Sequence, residues 1–299
     1  MLVSRAENAA EWRELARKVE GLGYSTLLVA DHFGRQLAPL PALVAAATVT
    51  TELRVGTFVL DNDFRHPAAT AKEAATVDVL TDGRLELGIG AGWYRADYAK
   101  TGMTFEAAGT RVGKLEEAIQ IIKALFEGDE VDFDGRYYQL EGLEGQPQPV
   151  QRPRPPIMIG ASGRRMLRLA AREADILNFP DRPSVGVSTA GNPALGLTMA
   201  QQMEIVRAAA GPRYAALELS SLSIPRLTDD IAGVMDQLAS LMQTTPEVVE
   251  AMPGALVGSR QAIVDKLQAN RERWDISYPV IPGGAIDTMA PIVAELTGT

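Results

Sequence analysis

Cysteine is absent from this 299-residue chain, and histidine occurs only twice. Without thiols there is no disulfide and no thiolate nucleophile, and a reducing, cytoplasmic setting is expected. Two histidines without cysteine leave too few ligands for a zinc site, and no carboxylates cluster at ligand spacing, so no metal is expected. Basic excess is also missing. The net charge is −9 and no block of Lys or Arg occurs, which argues against nucleic acid as a partner. Long apolar runs are missing too. The longest, Ala42 to Val49, is mostly alanine and falls far short of the ~20 residues that span a bilayer, so no membrane role is expected. The N-terminus has no basic-then-apolar leader pattern.

What is present is an alternation. Asn8-Ala9-Ala10-Glu11 has the form of a capping box, with Ser4 as a rival cap. Trp12, Leu15, Ala16, Val19 and Leu22 then recur at helical spacing, and Gly21 and Gly23 end the helix. Tyr24 to Ala30 reads as a strand buried on both faces. A helix over Pro41 to Thr50, a strand over Leu53 to Leu60, a helix over Pro67 to Leu80 and a strand over Arg84 to Ile89 follow. Further strands are predicted at Pro156–Gly160, Asp175–Phe179, Leu217–Ile224 and Ile276–Ile281. Strand–helix alternation with short links implies parallel strands and right-handed crossovers. The fold class is therefore α/β, and the length suits one (β/α)8 TIM barrel of roughly 250 residues plus insertions, a single domain over 1–299. Seven strands are found where a barrel wants eight; the first is missing or truncated to Met1-Leu2-Val3. An insertion runs over about 93–155. It holds a helix with Leu115, Ile119, Ile122 and Phe126 on one face, a hairpin over Val131 to Leu140 turning at Asp134-Gly135, and a proline-rich connector over Gln146 to Pro156. A polar, mobile loop is expected over about 180–198.

In such a barrel the reactive groups sit at the C-terminal ends of the strands. Asp31 and His32 end one strand. His32 is the candidate for acid–base work because its ordinary pKa lies near operating pH. Asp31 either orients His32 or accepts backbone amides. His66, just before Pro67, is expected to anchor a helix start. The strand after Asp82-Gly83 sheds its side chains at Gly88, Gly90, Ala91 and Gly92, which signals either a tight bend or a close approach of something flat. Ile157 to Arg165 reads as a strand, a small-residue turn and a helix. Its helix-start amides, with Ser162 and Arg164, suit an anion such as phosphate. Trp93, Tyr94, Tyr98 and Phe105 either wall a pocket or pack under a loop.

Taken together, these pieces resemble the luciferase-like monooxygenase superfamily, in particular its deazaflavin (coenzyme F420) branch. The matching residues are Trp12…Ala16…Glu20-Gly21-Leu22-Gly23-Tyr24 and Val29-Ala30-Asp31-His32. Arg65-His66-Pro67…Ala71-Lys72-Glu73-Ala74-Ala75…Asp78-Val79-Leu80 and Gly83 through Trp93 follow. The last are Pro155 through Gly160, leading into Leu167-Arg168-Leu169-Ala170-Ala171…Ala174-Asp175. The resemblance implies a TIM barrel with a flavin-type ring across the strand ends. It implies a bulge with a non-proline cis peptide near Phe58 to Asp61. It places cofactor contacts at Asp31, Phe58, Val59, Leu60, Gly88, Gly90, Ala91, Gly92, Gly160, Ala161, Ser162, Gly163 and Arg164. It places His32 beside the reacting face and Trp93 and Tyr94 at the substrate. An acidic F420 tail would call on Arg65, Arg95, Arg164 and Arg165. The implied activity is hydride transfer between F420 and a small organic substrate. FMN-dependent monooxygenation is the alternative, and a non-catalytic cofactor-binding barrel the second. Sugar-phosphate dehydrogenases of the family carry an acidic residue after the fourth strand, where this chain has Trp93-Tyr94. Alanine-rich helices over 41–50 and 67–80 suit a subunit interface, and a homodimer is expected.

Overall fold

The computed structural model describes residues 1–180 and 197–297, so most of the loop expected over 180–198 lies outside the described residues. Two compact units divide the chain, one over Leu2–Ile159 and one from Gly160 onward, to which Met1 also belongs.

The first unit opens with α1 (Ala9–Gly21), capped by Asn8, whose side chain accepts from the Ala10 and Glu11 amides. The box is not reciprocal: the Glu11 carboxylate accepts from the Glu7 amide at 2.7 Å instead. Ser4 is no cap, since its Oγ accepts from the Ala30 amide. Then come β1 (Thr26–Val29), α2 (Pro39–Ala47), β2 (Arg54–Thr57), β3 (Leu60–Asp61), α3 (Pro67–Leu80) and β4 (Leu85–Gly90). After α4 (Arg95–Thr101) and α5 (Ala108–Glu127), a hairpin of β5 (Glu130–Asp134) and β6 (Gln139–Glu144) precedes β7 (Ile157–Gly160). Strands pair in the order β1-β2-β4-β7, all parallel, with β3 joined to β4.

Relative to the prediction, α2 begins two residues early, because its proline pair Pro39 and Pro41 fits the first turn, where no amide donor is needed. The stretch over Leu53–Leu60 is not one strand but two, broken after Thr57. The truncated first strand contributes one parallel bridge, Leu2 to Leu28, with the Val3 amide donating to the Leu28 carbonyl at 2.9 Å.

Side chains close the connections. Glu20 at the end of α1 accepts the amides of Thr51, Glu52 and Leu53 at 2.8–3.0 Å. Arg84 spreads its guanidinium over the carbonyls of Ala47, Thr50 and Leu53, so a cation sits where α2 ends negative. Buried Asp78 holds the amides of Val150 and Gln151 at 2.7 and 2.9 Å, tying the proline-rich connector back to α3. His66 caps α3, its Nδ1 accepting from the Ala68 amide, as expected. Leu115, Ile119, Ile122 and Phe126 are all buried on α5.

The second unit runs α6 (Arg164–Glu173), β8 (Ile176–Phe179), α7 (Met199–Ala210), β9 (Glu218–Leu222), β10 (Arg226–Leu227), α8 (Ile231–Met242) and α9 (Pro246–Glu250). It ends with β11 (Val257–Gly258), α10 (Arg260–Trp274), β12 (Ile276–Val280) and α11 (Ile286–Leu296). The parallel order here is β8-β9-β12, with β10 and β11 paired apart. Ile224, Leu238, Ala239, Met242, Val249 and Ala255 form a satellite core under α8 and α9. Among the described residues, no helix is long and apolar enough to cross a membrane.

Candidate active site

The site begins where the β2–β4 ladder fails. Pairing runs through Val55–Leu85 and Gly56–Glu86 and then stops. Thr57 replaces the ladder with its side chain: Oγ1 donates to the Gly88 carbonyl at 2.7 Å and accepts from the Gly88 amide at 2.8 Å. The next peptide, Phe58–Val59, is cis, which is where the resemblance put such a bond. Pairing resumes as Leu60–Ile89 and Asp61–Gly90. A Cβ on Gly88 would overlap the Thr57 carbonyl, and one on Gly90 would press on Val59 at 2.8 Å. At these two glycines it is therefore the chain's own bulge that comes close.

Beyond β4, Gly92 takes φ +74°, and a Cβ there would collide with the Tyr98 hydroxyl and the Asp61 carboxylate. Arg111, buried on α5, donates to the Ala91 carbonyl at 3.0 Å and to the Gly92 carbonyl, with its guanidinium 4.0 Å from the Phe105 ring centre. Tyr98 Oη lies 2.9 and 2.8 Å from the two Asp61 oxygens and 3.1 Å from Asp63. Burial raises the Asp61 carboxyl to about 6; the charges of Asp63 and Asp31 add to this, against hydrogen bonds from the Asp63 amide and Tyr98. Burial and the Asp61 charge push the Tyr98 phenol up as well.

At the end of β1, His32 Nδ1 lies 2.7 Å from Asp97 Oδ2, and Asp97 Oδ1 accepts the Phe33 amide at 3.3 Å. The imidazole is partly exposed, whereas Asp97 is buried. Trp93 and Tyr94 meet the imidazole edge-on, their ring centres 5.6 and 5.3 Å away. Both are exposed, which puts two large exposed aromatics against one histidine. Asp31 does not orient His32. Its oxygens take Arg65 at 2.6 and 3.3 Å and the Asp61 amide at 3.2 Å, the amide-accepting alternative. Arg65, which also approaches Glu73, is thereby engaged within the chain. Tyr98 and Phe105 pack as core, ring centres 4.8 Å apart.

In the second unit, Gly160 and Ala161 lead from β7, and the Ala161 amide bonds to the Asn178 carbonyl at 2.9 Å. Gly163 caps α6 with φ +80° and no side-chain cap among the described residues, and Ser162 and Arg164 are exposed. Helix-start amides without a side-chain cap are donors of the kind that suit a phosphate.

The sequence named His32, Trp93 and Tyr94, and the structure places them side by side; sequence reasoning named Tyr98 without its carboxylate partners and did not single out Asp97 or Arg111. Asp97 lies 65 residues from its partner. Its only signal was a carboxylate one turn past an aromatic pair, on a short helix.

Alternating parallel strands and helices, with a carboxylate-held histidine at the C-terminal end of β1, are the arrangement of the α/β-barrel class. More closely, the chain belongs to the luciferase-like monooxygenase family, whose model matches residues 1–275. An FMNH2-dependent dimethylsulfone monooxygenase of Pseudomonas fluorescens (strain Pf0-1) is 28% identical over 272 residues, 85% of this chain and 69% of that protein. An F420-dependent glucose-6-phosphate dehydrogenase of Microbacterium testaceum (strain StLB037) is 35% identical over 164 residues, 52% of this chain and 48% of that protein. The match thus spans only about half of the dehydrogenase. Among solved structures, the coenzyme F420-dependent tetrahydromethanopterin reductase of Methanopyrus kandleri is similar with a TM-score of 0.75 at 18% identity, covering 97% of this chain and 95% of that one. That likeness shows the fold, an α/β barrel of the TIM type.

Proposed function

We propose that this protein is an F420-dependent oxidoreductase acting on a small organic substrate, with His32 as the group that takes or gives the accompanying proton. The observation that carries this reading is His32 itself, held by Asp97 and bordered by exposed Trp93 and Tyr94. Asp97 leaves the ring with one nitrogen committed and the other available. Trp93 and Tyr94 offer flat, neutral faces to an organic substrate and shed water from around the imidazole, where a sugar phosphate would want a cation. Gly160, Ala161, Ser162, Gly163 and Arg164 are the candidates for a cofactor phosphate. Asp31, Phe58, Val59, Leu60, Gly88, Gly90, Ala91 and Gly92 are the candidates nearest a ring. When bound, the deazaflavin supplies the carbon that accepts or releases hydride.

The choice of F420 follows the resemblance of Val29–His32 and Gly83–Trp93 to the deazaflavin branch, since relatives of both cofactor types reach 35% identity. FMN-dependent monooxygenation is the second reading, favoured by the longer match to the sulfone monooxygenase. Titrating purified apoprotein with F420 and with FMN, followed by melting temperature, separates them, because only a ligand that prefers the folded chain raises it. A rise with F420 alone supports the proposal, a rise with FMN alone replaces it, and no rise with either removes both. His32→Ala is expected to lower turnover about 100-fold or more while the cofactor dissociation constant stays within about threefold; parallel losses in both would remove the proton role.

A further inference from the structure

We propose that Asp97 is the positioning residue of this site: its carboxylate fixes His32 with the hydrogen on Nδ1, which leaves Nε2 as the nitrogen that exchanges the proton. The proposal rests on the reading of His32 given above and adds what selects its tautomer. A carboxylate only accepts, so the hydrogen in the 2.7 Å contact belongs to Nδ1. Which ring nitrogen carries the hydrogen is set by the hydrogen bonds the ring makes, so a fixed acceptor at Nδ1 selects the tautomer. Asp97 is placed to do so. Its side chain is only 3% exposed, so the contact is little diluted by water. Its second oxygen takes the Phe33 amide, so the carboxylate grips both the ring and the backbone that follows it.

A helix of seven residues is a weak platform alone, and the next residue strengthens it. Tyr98 points about 100° further round the helix, as successive helical residues do. Its hydroxyl is fastened to Asp61 and Asp63. The Asp97 amide is also tied, to the Tyr94 carbonyl at 3.0 Å. One face of α4 is thus anchored to the segment after β3 while the other holds the imidazole. Trp93 and Tyr94, edge-on to the ring, limit its rotation.

The chain has only two histidines, which makes a direct test simple. In apoprotein labelled with ¹⁵N-histidine and carrying His66→Asn, an exchange that keeps a helix cap, a single imidazole remains. We expect its Nε2 to resonate as an unprotonated nitrogen and its Nδ1 as a protonated one. In Asp97→Asn, whose amide can donate to Nδ1, the two assignments should exchange. In the full enzyme, Asp97→Asn should lower kcat about 10- to 100-fold, with the cofactor dissociation constant within about twofold, and Asp97→Glu should recover part of it. A wild-type imidazole protonated on Nε2 overturns the proposal, and so does an Asp97→Asn variant whose tautomer is unchanged. Should Asp97→Asn not fold, the spectrum of the His66→Asn protein alone decides. The spectra need no cofactor, so failure of the F420 assignment would appear in the titration and leave this result standing.

Discussion

Asp61 shows how a single side chain can be placed against its own interest. It is a carboxyl raised from 3.8 to about 6, chiefly by burial. Between those two values the folded chain holds a proton that the unfolded chain releases, so the group stabilises the fold at acid pH and loses that contribution as pH rises through about 6. Each pH unit of the interval is worth about 1.4 kcal/mol, an upper bound near 3 kcal/mol in all. Asp61→Asn keeps an oxygen for Tyr98 and for the Asp63 amide but never ionises. We therefore expect its melting temperature, relative to wild type, to be several degrees better at pH 7.5 than at pH 4.5. An equal difference at both values would mean that Tyr98 fully offsets the buried charge. The glycines offer a second comparison. At Gly88 an added Cβ meets the rigid Thr57 carbonyl, whereas at Gly21 it meets nothing within 4 Å. Gly88→Ala should cost about 3 kcal/mol or more, and Gly21→Ala should be neutral or gain up to about 1 kcal/mol. Denaturant midpoints of both variants check this.

Among the elements, α5 matters for what it does to the loop after β4. Arg111 donates to two successive carbonyls, of Ala91 and Gly92, which no strand partner reaches, and to the Glu106 carbonyl at 3.0 Å. Arg111→Met keeps most of the volume over Phe105 but leaves those half-buried carbonyls without their donor, each bond to the charged group being worth about 1–3 kcal/mol. We expect a loss of about 2–4 kcal/mol in stability and a rise in the fluorescence anisotropy decay rate of Trp93, read against a Trp93→Phe blank. Here the line between what the sequence discloses and what it hides is visible. The strands, α3 and the face of α5 follow from local apolar spacing, and His66 from a proline beside it. The break after Thr57, the burial of Arg111 and the grip of Asp97 on His32 join residues 19 to 65 positions apart, and such pairings leave no periodic trace. The family resemblance supplied the cis peptide, which spacing alone would not.

For the molecule as a whole, the question is whether it works singly. In α3 Ala71, Ala74 and Ala75 pack inward, yet Val79 and Leu80 stay 40% and 58% exposed. In α8 and α9 of the other unit, Leu241 and Val248 are 59% and 47% exposed. Two adjacent apolar side chains left exposed at the end of α3 suit contact with a second copy. The patch on α8 and α9 lies instead over a small satellite core. We therefore expect light scattering to give twice the protomer mass. Leu80→Glu should return it to the single mass with little change in the melting temperature of the separated chain, and Leu241→Glu should leave the pair intact. Dissociation by Leu241→Glu alone would move the interface to the second unit. A single mass for the wild-type chain at micromolar concentration would remove the dimer altogether.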